Sequence, residues 1–455
     1  MFLLWIIVCA LILFLPGYLL YDQDYPIILS FYLTSLPLMV MAHSAIVKDR
    51  AGAAFGTILV FSMLFFYVAP IIQLYEAHGY LVNFFPVEID GILLANLFVF
   101  IFLSVFQLIY VRKIKAAPKS LLSAPDASVA ITVPIFIVLT LLMGVWGLYV
   151  VQDSRLLAGD IGEAGPSGFL ILRHKTLFMI PFFTAAFYML NKKAKRNLLV
   201  LGVLVLCVMA TKNIFLDRRN ALGPLYISMV FFYFYWVRMS ARNVFLVATP
   251  GLIIGFPILS IFINNKASTW GYMFTFSNVM DQISGHFNDV HYDAWANIVA
   301  TLTFVRENGL QMGNQLLGTL LFFVPRDIWA SKPVSSGEML GDYLLAYYNL
   351  WFTNISFSYP AEGYVDFGIL GLVVYSALLA LYAKRLDWFA VNGTIVERIS
   401  ATYFAFYLFF VLRGPLLPAV AYGVGAYIAL NVIPSLLARP VMRSSEQQVP
   451  RPAVQ

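Results

Sequence analysis

Twelve apolar stretches of about 20 residues recur along this chain and leave few ways for it to fold. A helix of about 20 apolar residues matches the ~30 Å hydrocarbon core of a bilayer. Hydrophobic residues make up 61% of the 455 residues, and charged residues only 11%. We therefore predict an all-α polytopic membrane protein with about 12 transmembrane helices. The predicted spans are residues 1–20, 26–47, 53–74, 91–111, 129–151, 169–190, 198–214, 221–237, 244–263, 364–383, 396–412 and 415–437.

The distribution of basic residues predicts which side of the membrane each connection faces. Cytoplasmic connections collect lysine and arginine, and one alternating set of connections holds most of the 29 basic residues. This bias places both termini in the cytoplasm and residues 264–363 outside. The net charge of +6 then reflects topology, so we predict no nucleic-acid partner. Cys9 and Cys207 lie in separate spans and indicate neither a disulfide framework nor a zinc site.

Hydropathy divides the chain into four parts. Residues 1–263 form nine predicted transmembrane helices, and residues 364–437 form three more. Between them, residues 264–363 form one large extracytoplasmic (periplasmic) loop, which is polar and aromatic and is the expected active-site region. Residues 438–455 are predicted to be a disordered cytoplasmic tail. Retained polar groups in so apolar a chain indicate function.

The large loop contains two apolar runs of intermediate length, residues 310–324 and 339–352. Each is about 15 residues long, which is short for a span and suits a re-entrant or interfacial helix. The alternative is that both runs cross the membrane. In that case Arg326 and Lys332, which lie between them, would face the cytoplasm.

Cations at the predicted outer surface are the first candidate site residues. Arg218 and Arg219 follow Asp217 at the outer end of the eighth span, against both the positive-inside bias and the helix macrodipole. An outer-leaflet anion such as a pyrophosphate would be a natural counter-charge, because guanidinium groups match phosphate oxygens two at a time. The alternative is that they reach lipid headgroups or pair with Asp217. Arg173 and Lys175, at the outer start of the sixth span, repeat this pattern more weakly.

A second cationic segment lies within the large loop. Arg326 and Lys332 are flanked by Pro325 and Pro333, which stiffen the backbone and hold the two cations in place. We interpret this segment as a further anion site. An ordinary amphipathic turn at the membrane interface is the alternative.

Carboxylates and a histidine are candidates for acid–base chemistry. Glu362 and Asp366 are one helical turn apart near the start of the tenth span. His291 lies beside Asp289 and can act as a general base, in a segment that opens a helix predicted to run through Arg306. The alternative is that these residues have no role in a reaction. The helix dipole favours an acid in a first turn, as at Glu362, and His291 and the aspartates beside it would then form a solvated first turn.

A metal site in the histidine-containing segment is disfavoured. His286 and His291 are five residues apart, which is poor geometry for two ligands on one helical face. Asp289 and Asp293, at a spacing of four, are expected to share a face of the helix. We predict no metal and no cofactor.

Three local sequences resemble the Wzy-type oligosaccharide repeat-unit polymerases, which are O-antigen and exopolysaccharide polymerases of bacterial inner membranes. They are Asp217–Asn220, Val324–Pro333 and Ser358–Gly368. The remaining likeness is architectural: some twelve spans, cytoplasmic termini and a large outer loop before the last helices.

The resemblance implies a metal-independent glycosyltransferase that joins undecaprenyl-diphosphate-linked repeat units at the outer face of the membrane. The acceptor hydroxyl would attack the donor's anomeric carbon, and the lipid diphosphate would leave. Four cations would stabilise the leaving diphosphate: Arg218, Arg219, Arg326 and Lys332. Three residues are candidates for the base: Glu362, Asp366 and His291. Implied partners are the lipid-linked glycans, membrane lipid and a chain-length regulator protein.

Three other functions compete with this reading. An O-antigen ligase would use the same donor with a lipid A core sugar as acceptor, so the acceptor distinguishes it. A flippase or exporter of lipid-linked oligosaccharide predicts cations in the middle of several helices, whereas here they lie at span ends. A lipid-phosphate sugar transferase is disfavoured by the short first outer loop, which holds Asp22 and Asp24.

Overall fold

The computed structural model describes residues 1–77, 79–111, 130–131, 133–152, 175–190, 197–213, 219–234, 237–258 and 275–439. Within these ranges the regular secondary structure is helical apart from one two-residue antiparallel pair, β1 (Ala130–Ile131) with β2 (Ala438–Arg439), and turns and irregular segments connect the helices. The predicted disordered tail therefore has two ordered residues at its start, and residues 440–455 lie outside the description.

The first part of the chain, up to residue 258, contains ten described α-helices. They are α1 (Phe2–Leu19), α2 (Tyr25–Ala42), α3 (Ala53–Met63), α4 (Ala69–Glu76), α5 (Ile89–Val111), α6 (Val133–Gln152), α7 (Ile180–Leu190), α8 (Leu198–Thr211), α9 (Arg219–Tyr233) and α10 (Ala241–Pro250). The described part from residue 275 onward adds eight. They are α11 (Phe276–Gly285), α12 (Ala294–Asn308), α13 (Asn314–Leu320), α14 (Ser336–Tyr348), α15 (Tyr359–Asn392), α16 (Ile395–Arg413), α17 (Leu416–Tyr427) and α18 (Ile433–Leu436).

Eight helical stretches of the described chain are long and apolar enough to cross a membrane. They are Phe2–Leu19, Tyr25–Val47, Ala53–Glu76, Ile89–Val111, Ala241–Ile258, Tyr359–Asn392, Ile395–Arg413 and Leu416–Leu436. Four shorter apolar helices lie within the other predicted spans: Pro134–Tyr149, Leu177–Leu190, Leu198–Thr211 and Leu222–Tyr233. These helices thus confirm the prediction of a helical membrane protein, with eight candidate spans among the described residues. Twelve crossings and a periplasmic loop remain predictions.

Polar side chains mark where several apolar helices begin. Thr394 accepts a hydrogen bond from the backbone of Glu397, whose carboxylate accepts one from the Thr394 backbone in return, which closes a capping box at the start of α16. Asn197 accepts a 2.9 Å hydrogen bond from the backbone of Leu199 and caps α8. Such caps satisfy N–H groups that the helix itself leaves without partners.

Part of the predicted loop lies in the core of the bundle. Helix α12 is predicted to lie outside the membrane, yet most of its residues are buried. The indole N–H of Trp295 donates to the side-chain oxygen of Asn96 in α5 across 3.0 Å. Further along, Val299 packs on Gly91, where a side-chain carbon would approach it to 3.0 Å. The segment is therefore integral to the helix bundle and is not a separable domain.

Helix α15 reverses direction at Gly368. This residue has φ +63° and ψ −146°, a combination that essentially only glycine adopts. The two arms then lie side by side, because the rings of Tyr359 and Tyr375 are 5.3 Å apart. A side-chain carbon at Gly363 would lie 2.6 Å from the carbonyl oxygen of Gly371. Residues 359–367 thus form a short arm packed against the long arm, residues 369–392.

The two apolar runs of the loop form short helices, as predicted. Helix α13 has 7 residues and α14 has 13. At 1.5 Å per residue the longer helix extends about 20 Å, which is less than the hydrocarbon core. In this structure neither helix is long enough to cross the membrane.

Candidate functional site: a polar network around the α16–α17 turn

The turn between α16 and α17 joins the last helices to the loop segment. The carbonyl of Arg413 accepts a 3.0 Å hydrogen bond from the backbone of Phe357. Three residues later, the backbone N–H of Leu416 donates to Glu362 across 2.6 Å. Residues that are distant in sequence, among them the candidate Glu362, therefore meet at this turn.

Asp293 and Arg413, the last residue of α16, form an ion pair beside this turn. The Arg413 Nη2 atom lies 3.7 Å from Oδ1 of Asp293, whose side chain is only 1% exposed, while the Arg413 side chain is 31% exposed. Asp293 also accepts hydrogen bonds from the hydroxyl of Ser356 and from the amide of Asn297, the latter at 2.9 Å. The buried Nε of Arg413 has no hydrogen-bond partner among the described residues. The pair therefore leaves one cationic donor group unsatisfied beside a buried carboxylate.

Neither residue of this pair was selected from the sequence. The available signal was Arg413 itself, a charge between two apolar stretches, which ordinarily needs a partner. Its partner could not be found by spacing, because Asp293 lies in the large loop. Helical spacing predicted that Asp289 and Asp293 share a face, and this is wrong. Residues His286–Asn288 and Val290–Tyr292 form two 3₁₀ turns, so Asp289 is exposed and Asp293 is buried.

Glu362 is a buried helix cap. Its side chain accepts from the hydroxyl of Ser336 and from the backbone N–H of Leu416, both across 2.6 Å. The residue is 2% exposed. Glu362 thus connects the start of α14 to the start of α17.

Asp366 caps a different helix. Its two oxygens accept from the backbone N–H groups of Gln315 and Leu316, at 3.1 and 2.8 Å, in the first turn of α13. Asp366 is 0% exposed. Since the Ser336 hydroxyl also contacts the Gln315 side chain at 3.4 Å, the two carboxylates belong to one network. That network fixes both ends of the segment from α13 to α14.

Arg326 and Lys332 lie in the segment that these carboxylates anchor. Arg326 donates to the carbonyl of Lys332 across 2.8 Å and to that of Pro333 across 3.4 Å. The Lys332 ammonium donates to the carbonyls of Phe322 and Val324, at 2.6 and 2.9 Å. As predicted, the two cations are held in place. Arg326 is nevertheless exposed, and its five N–H donors exceed these two contacts.

The two cations are close enough to affect each other. Partial burial and, secondarily, the charge of Arg326 lower the pKa of Lys332 from its ordinary value. A bound anion would relieve this like-charge repulsion. The turn can therefore present two positive charges to one anionic group.

His291 lies elsewhere on the same segment. Its Nε2 is 3.8 Å from Oδ2 of Asp289, and its side chain is 42% exposed. The ring of Phe256, from within the ninth predicted span, packs edge-on against the His291 ring, with 5.8 Å between the ring centroids. Burial lowers the pKa of the neighbouring His286, which favours a neutral imidazole there. Of the three candidate bases, His291 is the most accessible.

The remaining predictions cannot be placed with the same detail. Arg173 and Arg218 lie outside the described residues, and Arg219 begins α9 with its side chain outside the description. Among the described residues, no three His, Cys, Asp or Glu side chains are grouped to hold a metal ion.

Comparison with known proteins adds no assignment. No protein-family model matches the chain, and no match was found among the curated proteins or the solved structures.

Proposed function

We propose that this protein is a membrane glycosyltransferase that polymerises undecaprenyl-diphosphate-linked oligosaccharide repeat units at the outer face of a bacterial inner membrane. In each cycle the acceptor hydroxyl forms a bond to the donor's anomeric carbon. The bond from that carbon to the lipid diphosphate breaks, the diphosphate leaves with the electron pair, and a base takes the hydroxyl proton.

One observation carries the proposal. Two neighbouring cations, Arg326 and Lys332, are held on a stiff turn whose ends are fixed by the buried carboxylates Glu362 and Asp366. Charge that develops on a leaving diphosphate is best stabilised by donors that are already in position. An exposed guanidinium next to an ammonium, both pre-oriented, suits this role.

The geometry favours different roles for the three candidate bases. Glu362 and Asp366 are buried, and their oxygens accept hydrogen bonds from helix termini and Ser336. They are placed to position the cationic segment. His291 is exposed and lies beside Asp289, which can orient the imidazole and stabilise its protonated form. We assign His291 as the general base.

The test is the size distribution of surface polysaccharide in a strain that lacks the gene. Single repeat units in place of long chains, with long chains restored by the wild-type gene, are the expected result. Long chains that accumulate on the lipid carrier without transfer would instead identify a ligase. Repeat units retained on the cytoplasmic side would identify a flippase.

A further inference from the structure

An apolar groove, the α15 groove, lies beside the long arm of α15. Its volume is about 320 Å³, which is within the range of small-molecule binding sites. Helix α15 supplies most of its walls, and α13 and α17 supply one leucine each. All of its lining residues are described, and none of them carries a charge. The groove therefore suits an apolar occupant.

Backbone contacts of the buried carboxylates hold two walls of the groove. Leu316 of α13 and Leu416 of α17 both line it. The N–H of Leu316 donates to Asp366 across 2.8 Å, and that of Leu416 donates to Glu362 across 2.6 Å. The hydrogen bonds that fix the cationic segment therefore also fix the groove.

The groove opens on the side of α15 that faces away from the helix bundle. Three of its lining residues on the long arm, Leu370, Val374 and Leu378, are exposed. They extend about 12 Å along the helix, at 1.5 Å per residue. This arm belongs to a stretch, Tyr359–Asn392, that is apolar enough to cross a membrane. In a bilayer, a hydrocarbon chain would thus enter the groove sideways, without passing through water.

Helix α13 connects the groove to the cationic turn. Leu316 lines the groove, and Gly318, two residues later, packs so closely on Pro333 that a side-chain carbon would displace it. Pro333 follows Lys332, and its carbonyl accepts a hydrogen bond from Arg326. The seven residues of α13 extend about 10 Å. The two cations and the groove are therefore close enough to bind the head and the first part of the chain of one lipid.

We infer that the α15 groove binds the first isoprene units of a polyprenyl diphosphate, while Arg326 and Lys332 bind its diphosphate. The inference rests on the proposed function, since it gives a binding site to the lipid carrier of that reaction. Charge favours this lipid over a phospholipid. A prenyl diphosphate carries at least two negative charges on adjacent phosphates, which match two neighbouring cations. The phosphodiester of phosphatidylglycerol carries only one.

The experiment measures binding without turnover. Full-length protein is purified in a neutral detergent and titrated with farnesyl diphosphate, whose chain is three isoprene units long, and protection against thermal unfolding reports the affinity. Leu370→Trp places a large ring in the groove and should weaken binding about tenfold or more. Ile369→Trp is the matched control and should bind normally. Its side chain is 66% exposed, close to the 71% of Leu370, but it does not line the groove.

Two comparison ligands separate the head from the chain. Inorganic diphosphate lacks the chain, and dipalmitoyl phosphatidic acid carries acyl chains in place of the isoprenoid. Both should bind about tenfold or more weakly than farnesyl diphosphate. Equal affinity for inorganic diphosphate would show that the groove contributes nothing, and equal affinity for phosphatidic acid would assign the groove to ordinary lipids. Either result, or equal binding by the two Trp variants, would overturn the inference.

A second pair of variants applies if the Leu370→Trp protein does not fold. Leu378→Trp fills the groove two turns further along α15, and Leu381→Trp, at an exposed position outside the lining, is its control. These results are independent of the polysaccharide test. A deletion strain with normal polymer would refute the proposed function whatever the groove binds, whereas unchanged binding in folded groove variants would refute the groove alone.

Discussion

Glu362 and Asp366 lie one turn apart in the short arm of α15, yet they cap two different helices. Glu362 accepts from the first residue of α17 at 2.6 Å, and Asp366 accepts from Leu316 in α13 at 2.8 Å. Two acids that lie four residues apart thus bind one helix that precedes them in the chain, α13, and one that follows them, α17. Their retention in an apolar setting has a structural reason, independent of any reaction.

Glu362 offers the sharpest test of that distinction. Glu362→Gln keeps an oxygen for the Leu416 N–H and an amide for Ser336, so we expect polymer lengths close to wild type. Glu362→Ala leaves the buried N–H of Leu416 without its partner, at a cost of about 1–3 kcal/mol, and leaves the Ser336 hydroxyl with only its 3.4 Å contact to Gln315. Thermal unfolding in detergent and polysaccharide gels measure both effects. A well-folded Gln variant that makes no polymer would return Glu362 to the role of base.

Substitution of His291 should affect the reaction more than the fold. We expect His291→Ala to slow polymerisation by a factor of about 10² to 10⁴, the usual contribution of a general base. Because the side chain is 42% exposed, the amount of protein in the membrane should not change. His43→Gln, in the predicted cytoplasmic end of the second span, is the control. Normal polymer from the His291 variant would exclude this residue as the base.

Arg326 should tolerate no replacement that removes its charge. We expect Arg326→Ala to reduce polymerisation by about 10²-fold, as loss of one transition-state donor does elsewhere. Arg326→Lys should recover part of the rate, since it keeps the charge and loses the planar fork. Arg306→Ala removes another exposed arginine of the same segment and should have no effect. In vitro polymerisation with purified lipid-linked repeat units separates these cases, and equal rates for the two Ala variants would contradict the assignment.

The ion pair between Asp293 and Arg413 should be visible in a double-mutant cycle. Asp293→Asn and Arg413→Met should each lower the free energy of unfolding by about 1–3 kcal/mol, because each change removes one partner of a pair whose carboxylate is buried. The double variant should lose less than the sum, with a coupling of about 1 kcal/mol or more. Additive losses would mean that the two charges do not interact.

The matched control for that cycle is an ion pair whose arginine is exposed. Arg238 lies 3.9 Å from Asp49, and its side chain is 81% exposed. Arg238→Met should therefore change the free energy of unfolding by less than about 0.5 kcal/mol.

Gly368 should be intolerant of any side chain. At φ +63° and ψ −146°, Gly368→Ala should cost about 1–3 kcal/mol of folding stability and disturb both carboxylate caps. Gly202→Ala, in the open interior of α8 with nothing near its added carbon, should be neutral or stabilising. Comparison of the melting temperatures of the two variants in detergent tests this prediction. Equal temperatures would contradict the reversal of α15 at Gly368.

Hydropathy predicts the helices well because the bilayer imposes one length and one composition on all of them. It cannot predict which polar residues meet. Asp293 and Arg413 pair across the whole C-terminal region, and neither lies in a pattern that points to the other. The reversal of α15 at Gly368 cannot be predicted from hydropathy either, because a glycine in an apolar run is compatible with an uninterrupted helix. The burial of α12 follows from its packing against α5, which its own composition does not reveal.

For the candidate site, too, the sequence indicates some of the residues and does not indicate their contacts. Arg326 and Lys332 were found because prolines on both sides made a stiff turn readable in the sequence. Glu362 and Asp366 were found too, but their partners are the Ser336 hydroxyl and backbone N–H groups of helix ends, which carry no sequence signature. Position along the chain therefore indicates which residues are unusual, and the folded structure indicates what each of them contacts.

The contact between Asn96 and Trp295 has a consequence for biosynthesis. The amide of Asn96 donates to Ser30, which is made earlier, but its oxygen accepts from Trp295, which is made 199 residues later. At the usual pace of translation, that interval is about 10–40 s. During this time the side-chain oxygen of Asn96 lacks the partner that it has in the folded protein, so this part of the bundle cannot be completed helix by helix in chain order. The packing around α5 can be completed only after α12 has been synthesised.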